Sequence, residues 1–372
     1  MKIALLGDIA FFGRYSLENK DILKYFSKVS EKLKEFDHVV GNLETPIYNG
    51  FKTYGAKSAY IRSNEENIAL LKYLNIDIVN LANNHIYDYG LPGMKRTILL
   101  LEKNGIGYFG VNNIQHRITD KNQNNKIAFS GYCCYSTNGV GYLTNDRKHG
   151  VNVLNAFKIE KNMIRNHEEG YFNILSIHAG EEHVHYPNYD HILMARKLAS
   201  KVPYVYYGHH PHVIQGLEVV NKSLIAYSLG NFCFDDVYTT KSTKPLVEQT
   251  EANKNSFILS LEISNNNIGK YEVIPIYLND NSLILYDKMK IKDYLIEYSK
   301  ELIIDKNDYR MKRKIIMNDY LLKRKKMRDF SWYLKRININ SFIIIINSYI
   351  NGRNYRKYLK KYLKENKDAI NN

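Results

Sequence analysis

Short β-rich runs alternate with helical patterns over about the first 210 residues, and this alternation constrains the fold more than any other feature. The predicted strands are residues 2–6, 38–40, 76–81, 126–133, 172–177 and 202–206. The predicted helices are residues 21–36, 64–74, 91–103, 157–167 and 188–201. After residue 212 the pattern contains strands only, at 213–219, 223–227, 257–263 and 271–275. Such alternation predicts layered α/β sheets covered by helices.

Charge divides the chain into two parts at about residue 287. Residues 288–372 contain 23 Lys and Arg against 9 Asp and Glu, a net charge of +14, whereas residues 1–287 contain 30 against 29. We therefore predict a neutral globular body, 1–287, followed by a basic, mainly helical C-terminal extension, 288–372. A partner inferred from the whole-chain charge of +15 is a partner of the extension only.

Hydropathy and cysteine content argue against several classes of protein. The longest purely apolar run, residues 342–346, is far shorter than the roughly 20 residues that span a bilayer. Only four apolar residues separate Lys2 from Gly7, so no signal peptide is predicted. The three cysteines, of which Cys133 and Cys134 are adjacent, make no disulfide framework and fit a reducing compartment. These features predict a cytoplasmic location.

Polar and titratable side chains follow the predicted strands at the point where each strand ends. They are Asp8 after the first strand, Asn42 and Glu44 after the second, Asn83, Asn84, His85 and Asp88 after the third, His178 after the fifth, and His209, His210 and His212 after the sixth. In open α/β sheets, ligands bind at the carboxyl ends of the strands. We therefore expect these side chains to meet at one site.

Histidines are concentrated in the same region, where seven of the twelve lie between residues 178 and 212. Imidazole, carboxylate and amide oxygen make a mixed nitrogen–oxygen ligand set, which suits Mn, Fe, Zn or Mg. His210 and His212 flank Pro211, and in an extended segment both imidazoles would project to the same side. The sequence predicts a metal site here, although any one of these histidines taken alone could simply be packed or solvated.

Two other motifs match catalytic patterns only as strings. Gly105-x-Gly107-x-x-Gly110 has the spacing of a dinucleotide-binding fingerprint, but it follows a predicted helix and opens a strand, whereas the fingerprint follows a strand and opens a helix. Ser228 lies in a segment similar to a nucleophile elbow, 226–230, with no helical pattern after it. We predict neither a dinucleotide-binding fold nor a serine hydrolase.

Six short blocks occur in the order found in CapA-type capsule and poly-γ-glutamate synthesis proteins, which the chain resembles over about residues 1–285. The blocks are Gly7-Asp8, Asn42-Leu-Glu44, Leu81-Ala-Asn-Asn-His85-x-x-Asp88-x-Gly90, His178-x-Gly180-x-Glu182-x4-Pro187, Gly208-His-His-Pro-His-Val213 and Tyr227-Ser-Leu-Gly-Asn-Phe232. That family is similar to the calcineurin-like metallophosphoesterases. The resemblance implies a four-layer α/β/β/α metallophosphoesterase-like sandwich with a two-metal site between its sheets.

The resemblance also implies a role for each residue of the site. The implied ligands of two divalent metal ions are Asp8, Glu44 in the bridging position, Asn84, His178, His210 and His212. The implied catalytic residues are His85, the acid that protonates a leaving oxygen, Asp88, which orients it, and Arg14. The implied substrate-binding residues are Asn42, Glu182, His183, His209 and Asn231.

The chain departs from the family pattern at two aromatic positions. Ala179 stands where the family usually has Trp, and His183 stands where it usually has Tyr. These changes alter the wall of the pocket and leave the substrate open, and His183 and His185 could replace the lost contacts or extend the metal shell. Glu44 occupies the place of the Asp that is usual in phosphoesterases, which is a feature of the family and weakens a simple transfer of phosphatase activity.

Two functions from different classes fit these residues. The first is a metal-dependent, phosphoesterase-like hydrolase in capsule or exopolymer biosynthesis, acting on an anionic exopolymer or a phosphorylated small molecule. The second is a non-catalytic accessory protein that holds an anionic polymer in the same pocket during capsule assembly or export. Metal binding alone would not separate the two.

The basic extension also has two main interpretations. Met327, Phe330, Leu334 and Ile337 fall on one helical face among many Lys and Arg residues. Such a helix could pack on the body with a solvated basic face, or it could lie on the anionic inner face of a membrane. Nucleic acid is the least favoured partner, because the body resembles an envelope-polymer protein.

Overall fold

The computed structural model describes residues 1–50, 59–122, 124–135, 150–238, 245–279, 282–285, 289–326 and 339–365. The apolar face predicted from Met327, Phe330, Leu334 and Ile337 lies outside these residues.

Strands and helices follow one another largely as the alternation predicts. The strands are β1 (Lys2–Ile9), β2 (His38–Leu43), β3 (Ile78–Asn80), β4 (Gly107–Phe109), β5 (His116–Thr119), β6 (Lys126–Cys133), β7 (Phe172–His178), β8 (Tyr204–His209), β9 (Leu217–Val220), β10 (Ser223–Ala226), β11 (Asn231–Cys233), β12 (Asn255–Ser264), β13 (Asn267–Asn279) and β14 (Ser282–Leu285). The helices are α1 (Ile22–Leu33), α2 (Ile68–Tyr73), α3 (Gly90–Lys103), α4 (Ala156–Glu168), α5 (Tyr189–Ala199), α6 (Met289–Glu301), α7 (Lys306–Lys326) and α8 (Ile339–Lys364).

These strands form two sheets. The first has the order β14-β13-β12-β1-β2-β3-β4, with β11 also paired to β1, and the second has the order β5-β6-β7-β8-β10-β9. Strands β1 to β4 run parallel to one another, and so do β6, β7, β8 and β10. Strands β12 to β14, together with the edge strands β5 and β9, add antiparallel pairs. The parallel centre of each sheet therefore presents its strand ends along one edge.

Apolar side chains hold four layers together. Between the sheets lie side chains such as Ile3, Leu5, Val40, Phe129, Ile174 and Val205. Helices α1 to α3 cover the outer face of the first sheet through residues that include Phe26, Leu33, Leu71, Met94 and Leu101. Helices α4 and α5 cover the second sheet through Ile159, Met163, Ile192 and Leu198. This α/β/β/α sandwich confirms the predicted fold class.

The described helices of the C-terminal extension pack on the body. Leu302, Tyr309, Leu359 and Tyr362 are buried in the apolar cluster that covers the second sheet. The ammonium group of Lys197 lies 4.1 Å from the centre of the Tyr362 ring and donates to backbone carbonyls at the end of α8. The extension thus adds to the outer helical layer. The domain boundary near residue 287 stays a prediction.

Some element boundaries differ from those expected. Residues 213–219 do not form one strand, because β9 begins only at Leu217. Strands β4 and β11 contain three residues each, too few to show a periodic pattern. The glycine motif does open a strand after a helix, and a strand follows Ser228 where a nucleophile elbow requires a helix. Among the described helices, none is long and apolar enough to cross a membrane.

Candidate metal centre

The first sheet delivers oxygen donors from the ends of two neighbouring strands. The parallel register of β1 and β2 places Asp8 beside Asn42, and Glu44 is the first residue after β2. All three side chains are fully buried. Burying carboxylates is costly unless partners compensate them, so their surroundings are informative.

Asp8 is held by donors from both sheets. Its Oδ1 accepts a hydrogen bond from the Asn42 amide at 2.7 Å and lies 3.0 Å from Nδ1 of His209. Its Oδ2 accepts from the backbone N–H of His210 at 3.1 Å and lies 3.3 Å from Nδ1 of His212. Burial alone would raise the pKa of Asp8, but the two imidazoles outweigh it and hold that pKa well below its usual value. Asp8 is therefore an anion at neutral pH.

Glu44 lies among three imidazoles. Its Oε1 is 3.7 Å from Nε2 of His178, 3.8 Å from Nε2 of His212 and 4.0 Å from Nε2 of His85. Ligands bound at about 2.1 Å to one ion can be at most about 4.2 Å apart. The Glu44 carboxylate is therefore close enough to share an ion with each of these side chains.

The turn after β3 orients His85. Oδ1 of Asn83 accepts from the backbone N–H groups of His85 and Ile86 at 3.0 and 2.9 Å, which tightens the turn. Nδ1 of His85 then lies 2.6 Å from Oδ2 of Asp88. Because Nδ1 donates to this carboxylate, Nε2 is directed toward Glu44 and the cluster. The structure thus places Asp88 where it orients His85.

In the second sheet, β7 and β8 end in His178 and His209, which are neighbours in register. Nε2 of His178 lies 2.9 Å from Oδ1 of Asn84, and its Nδ1 lies 3.3 Å from the Asn42 amide. Burial, together with the neighbouring imidazoles, lowers the pKa of His178 well below its usual value. His178 is therefore neutral and can offer a lone pair. His209 is fully buried and packs edge-on against the Tyr207 ring, with centroids 5.0 Å apart.

His210 and His212 are presented by a turn, so the predicted extended segment is wrong. Strand β8 ends at His209, and φ is +93° at His210 and +57° at His212, values that are uncommon for residues with a Cβ. The two ring centroids nevertheless lie 6.1 Å apart, and that of His210 lies 4.9 Å from that of His178. The hydrogen bond from His210 N–H to Asp8 compensates for part of this strain.

The two histidines of this turn differ in charge. Burial lowers the pKa of His210 to about 3, so its ring is neutral. Burial also opposes a charge on His212, but the carboxylates of Glu44 and Asp8 outweigh it and raise the pKa to about 10. Nδ1 of His212 also lies 2.8 Å from Oδ1 of Asn231. In the metal-free cluster a proton on His212 therefore balances part of the carboxylate charge.

The donor set fits divalent cations. Two groups of three residues each bring their own ligand atoms within 4.8 Å of one another. The first group is Glu44, His178 and His210, and the second is Asp8, Glu44 and His212. Nδ1 of His210 is buried and has no hydrogen-bond partner among the described residues, which is costly unless a ligand binds there. Imidazole and carboxylate together suit Mn, Fe and Zn, and a carboxylate-rich site also accepts Mg.

Arg14 lies beside the cluster in a separate group of charges. Its Nε donates to Oδ1 of Asp235 at 2.6 Å, and its Nη2 lies 3.6 Å from Asp236. This group lines a cavity of about 160 Å³ together with Phe234, whose ring centroid is 4.7 Å from that of His212. The structure thus brings Arg14 to the edge of the site and not among the ligand atoms.

The segment after β7 reaches the site only in part. The charge of Glu182 acts to raise the pKa of both His210 and His212. Nδ1 of His183 accepts from the Asn253 amide at 3.0 Å at the exposed rim. The His185 side chain is held away from the cluster. Its Nδ1 lies 2.9 Å from the backbone carbonyl oxygen of Ile214, and its ring stacks on the ring of Tyr298. The structure therefore does not place His185 in an extended metal shell.

Two asparagines that were not predicted as site residues support the cluster. Asn80 ends β3, and its amide donates to Oδ1 of Asn42 at 3.0 Å. The amide of Asn253 donates to the backbone carbonyl of His212 at 2.8 Å. Asn80 occupies a strand end, the same signal that identified Asn42. Asn253 lies far along the chain, and no local pattern indicates its contact.

Known proteins are similar to this chain in sequence over most of its length. The sequence model of the family described as "Bacterial capsule synthesis protein PGA_cap" matches residues 2–236, which include every site residue predicted above. The PGA biosynthesis protein CapA of Bacillus subtilis (strain 168) is 27% identical over 319 residues, covering 81% of this chain and 78% of that protein. The capsule biosynthesis protein CapA of Bacillus anthracis is 26% identical over 296 residues, covering 76% and 68%.

Solved structures show a more distant likeness. A hypothetical protein from Thermus thermophilus has a TM-score of 0.45 at 14% identity and covers 75% of this chain and 100% of its own. The 5′-nucleotidase from Candida albicans SC5314 has a TM-score of 0.40 at 12% identity and covers 88% and 57%. The fold assignment therefore rests on the topology of the chain itself.

Proposed function

The chain belongs to the bacterial capsule synthesis protein family PGA_cap, and from this premise we propose that it acts in capsule or poly-γ-glutamate-type exopolymer biosynthesis as a metal-dependent hydrolase of the phosphoesterase type. The names of the two Bacillus relatives support the process. The buried carboxylates and imidazoles support the class of reaction. A phosphorylated small molecule or a segment of an anionic exopolymer would be the substrate.

One observation carries the proposal, namely that Glu44 belongs to both groups of ligand atoms. A carboxylate with two oxygens can bridge two ions, so we propose that the site holds a pair of divalent cations, with Mn, Fe, Zn and Mg all compatible. Asp8 and His212 would hold one ion with Glu44, and His178 and His210 the other. Asn84, in contact with His178, would add an amide oxygen. When bound, such a pair supplies Lewis-acid stabilisation and an activated water at neutral pH.

His85 and Asp88 supply the proton transfer in this proposal. The Asp88 carboxylate accepts a hydrogen bond from Nδ1–H of His85 and so fixes both the tautomer and the orientation of the ring. Nε2 then lies 4.0 Å from Oε1 of Glu44, where a protonated ring can donate to a leaving oxygen. His85 retains 8% exposure, as does His212, whereas His178 is fully buried, so the His85 ring can exchange its proton with solvent.

Metal analysis followed by a substrate panel tests the proposal. We expect the purified full-length chain to contain divalent metal and to hydrolyse a generic substrate such as bis(p-nitrophenyl) phosphate or p-nitrophenyl phosphate. Chelation with EDTA should abolish this activity, and added Mn²⁺ should restore it. A chain with all ligands intact that takes up no metal would overturn the proposal.

A pair of histidine variants separates catalysis from metal binding. We expect His85→Ala to keep its metal and to lose hydrolysis by about 10²–10⁴-fold, the usual contribution of general acid catalysis. His167→Ala is the control, because that side chain is exposed on α4 away from the cluster and should leave both properties unchanged. Equal activity in the two variants would remove His85 from the mechanism.

A non-catalytic accessory role is the competing proposal, and the names of the two Bacillus relatives state a process without a reaction. In this role the same pocket would hold an anionic polymer during capsule assembly or export. Capsule or exopolymer production in cells carrying His85→Ala distinguishes the two. Production at the wild-type level, with metal retained, would favour the accessory role.

We further propose that the C-terminal extension attaches the protein to the anionic inner face of a membrane. On α7 the side chains of Met311, Ile315 and Leu322 are each more than half exposed, and their spacing puts them on one face. Lys314 and Lys325 lie on the same helix close to that face. An exposed apolar strip with basic neighbours fits the interface of a bilayer with anionic headgroups better than it fits water.

Sedimentation with vesicles tests this attachment. The full-length chain should co-sediment with phosphatidylserine-containing vesicles at low salt and be released as salt rises. Removing residues after 287 would expose apolar core, so the better variant is Lys314→Glu with Ile315→Gln, which should reduce binding. Lys24→Glu with Lys28→Glu, on exposed positions of α1, is the control. If both variants co-sedimented with vesicles as the wild type does, the α7 surface would be excluded as the site of membrane attachment.

A further inference from the structure

The loop between β7 and α5, residues 179–188, lies directly against the turn that carries His210 and His212. The backbone N–H of His183 donates to the carbonyl of Pro211 at 2.8 Å. A Cβ on Gly180 would lie 3.3 Å from Cγ of Pro211, so the two segments are in close packing. We call residues 179–188 the site loop. A displacement of this loop would be transmitted to both histidines.

The site loop has no regular secondary structure of its own to hold it in place. It contains bends and turns only, with φ of +121° at Gly180 and +63° at His183. Backbone in these conformations persists where surrounding contacts determine it. The position of the loop must therefore come from what packs on it, and the body supplies some of these contacts through Gln215, Ile214 and Asn253.

Helix α7 of the C-terminal extension supplies other contacts to the site loop. The guanidinium group of Arg313 donates through Nη2 to the Glu181 carboxylate and through Nε to the carbonyl of Tyr186, the latter at 3.2 Å. One turn earlier, the hydroxyl of Tyr309 donates to the carbonyl of Pro187 at 2.8 Å. Two side chains of α7 thus hold the loop at positions on both sides of Glu182 and His183.

These contacts are shielded from water. Tyr309 is 2% exposed, and the side chains of Arg313 and Glu181 are 13% and 26% exposed. An ion pair in such a place is screened less than a surface pair, and breaking it leaves a charge that is poorly hydrated. The planar guanidinium reaches a carboxylate and a carbonyl at the same time, which the single ammonium group of a lysine reproduces poorly.

Helix α6 makes a second set of contacts further along the site loop. The ring of His185 stacks on Tyr298 with centroids 4.6 Å apart, and the ring of Tyr186 meets the same tyrosine edge-on at 6.0 Å. The hydroxyl of Ser299 accepts from the backbone N–H of Leu217 at 2.9 Å, which ties α6 to β9. Both helices lie beyond residue 236, where the match to the family ends.

We infer that Arg313 is a positioning residue for the metal centre, acting through the site loop on His210 and His212. The C-terminal extension is then part of the apparatus that holds the metal ligands in place, in addition to any role as an attachment surface. The inference rests on the proposed function in one respect, because it needs the cluster to bind metal. It does not need the cluster to be catalytic.

Metal titration of full-length variants tests the inference. Titration calorimetry with Mn²⁺ should show about 10-fold weaker binding for Arg313→Ala, the lower end of what supporting residues contribute to a metal site. Arg313→Lys should recover only part of the loss. Tyr309→Phe, which removes one hydroxyl and keeps the ring, should have a smaller effect of the same sign. Lys306→Ala, at an exposed position near the start of the same helix, is the control and should bind Mn²⁺ as the wild type does.

A second measurement separates positioning from general loss of stability. Visible absorption of the Co²⁺-loaded protein reports ligand geometry, and we expect Arg313→Ala to change this spectrum. Tyr362→Phe loosens the extension elsewhere, by removing the hydrogen bond to Glu160, and should leave the spectrum unchanged. An Arg313→Ala protein that remains folded and has the wild-type Mn²⁺ affinity and Co²⁺ spectrum overturns this inference and leaves the proposed function standing. Failure of the wild-type chain to bind any metal overturns the proposed function, and this inference with it.

Discussion

The two halves of the candidate metal centre are built in different ways. The first-sheet half, with Asp8 and Glu44, comes from the ends of neighbouring parallel strands whose register alone sets its residues side by side. The second-sheet half includes His210 and His212, which sit in a turn with positive φ and depend on contacts from distant parts of the chain. Strand pairing therefore builds the oxygen half, and tertiary packing builds much of the imidazole half.

The largest effect on metal binding is expected from replacing Glu44, the residue that both ligand groups share. Glu44→Gln removes the charge and replaces one carboxylate oxygen by an NH₂ group that cannot bind a cation. We expect both ions to be lost, with a fall in affinity beyond the roughly 10–100-fold that supporting residues give. Elemental analysis after dialysis against limiting Mn²⁺ measures the result.

Glu65→Gln is the control for this change, because Glu65 pairs with Arg96 away from the cluster. It should keep the wild-type metal content. A Glu44→Gln protein that also kept its full metal content would show that the two groups do not share this carboxylate.

A smaller effect is expected from ligands that belong to one group only. His178→Ala and His212→Ala remove imidazoles from different groups, so each variant should lose one ion of the two. The double variant should lose both. Stoichiometry from titration with Mn²⁺ distinguishes these cases, and loss of both ions in either single variant would mean that the groups form one indivisible site.

The dependence of the imidazole half on its backbone can be probed at Gly180. Its φ of +121° strains any other residue by about 1–3 kcal/mol, and the added methyl group would press on Pro211. We expect Gly180→Ala to lower stability and to weaken metal binding by about 10-fold. Urea unfolding and metal titration measure the two quantities separately.

Gly170→Ala is the matched control for backbone strain. Gly170 has a φ of +79° and open space around it, so alanine there should cost stability with no change in metal affinity. An equal loss of metal affinity in the two glycine variants would show that the turn carrying His210 and His212 is not sensitive to the site loop.

The smallest effect on the site at neutral pH is expected from replacing His191 on α5, the helix that covers the second sheet. Burial lowers the pKa of His191 to about 4, and its ring contacts the Tyr355 hydroxyl at 2.7 Å. Because the unfolded pKa is about 6.5, the stability present above that pH is lost as pH falls toward 4, by up to about 3 kcal/mol. His191→Gln should remove this part of the acid sensitivity while leaving metal affinity unchanged.

Urea unfolding of the metal-free protein from about pH 7 down to about pH 4.5 measures this difference. His167→Gln, at an exposed position of α4, should follow the wild type. Parallel pH curves for the wild type and His191→Gln would contradict the assignment.

The oxygen half and the layered fold could be predicted because they depend on local pattern. Asp8 and Glu44, together with His178 of the imidazole half, lie at or directly after the ends of β-rich runs, and parallel strands bring such ends to one edge. The alternation of strands with helices likewise predicts the two covered sheets, since each element must bury its apolar face.

The geometry of the turn at His210 and the partner of Arg14 could not be predicted, because they depend on contacts between distant segments. The turn at His210 relies on a hydrogen bond to Asp8, 202 residues earlier, and Arg14 pairs with Asp235, 221 residues away. Neither partner is visible in a local window of sequence. The charge count identified the basic extension, yet it contained no sign that Arg313 contacts the site loop.

The central place of β1 in the first sheet has a consequence for timing during synthesis. Lys2 pairs with Glu262 on β12, and Asp8 pairs with Asn231 on β11, so β1 is completed by strands that are synthesised more than 200 residues later. At about 5–20 residues per second, roughly 10–50 seconds separate these events on the ribosome. Asp8 therefore lacks its neighbours on β11 throughout that interval, and the candidate metal centre is incomplete until it ends.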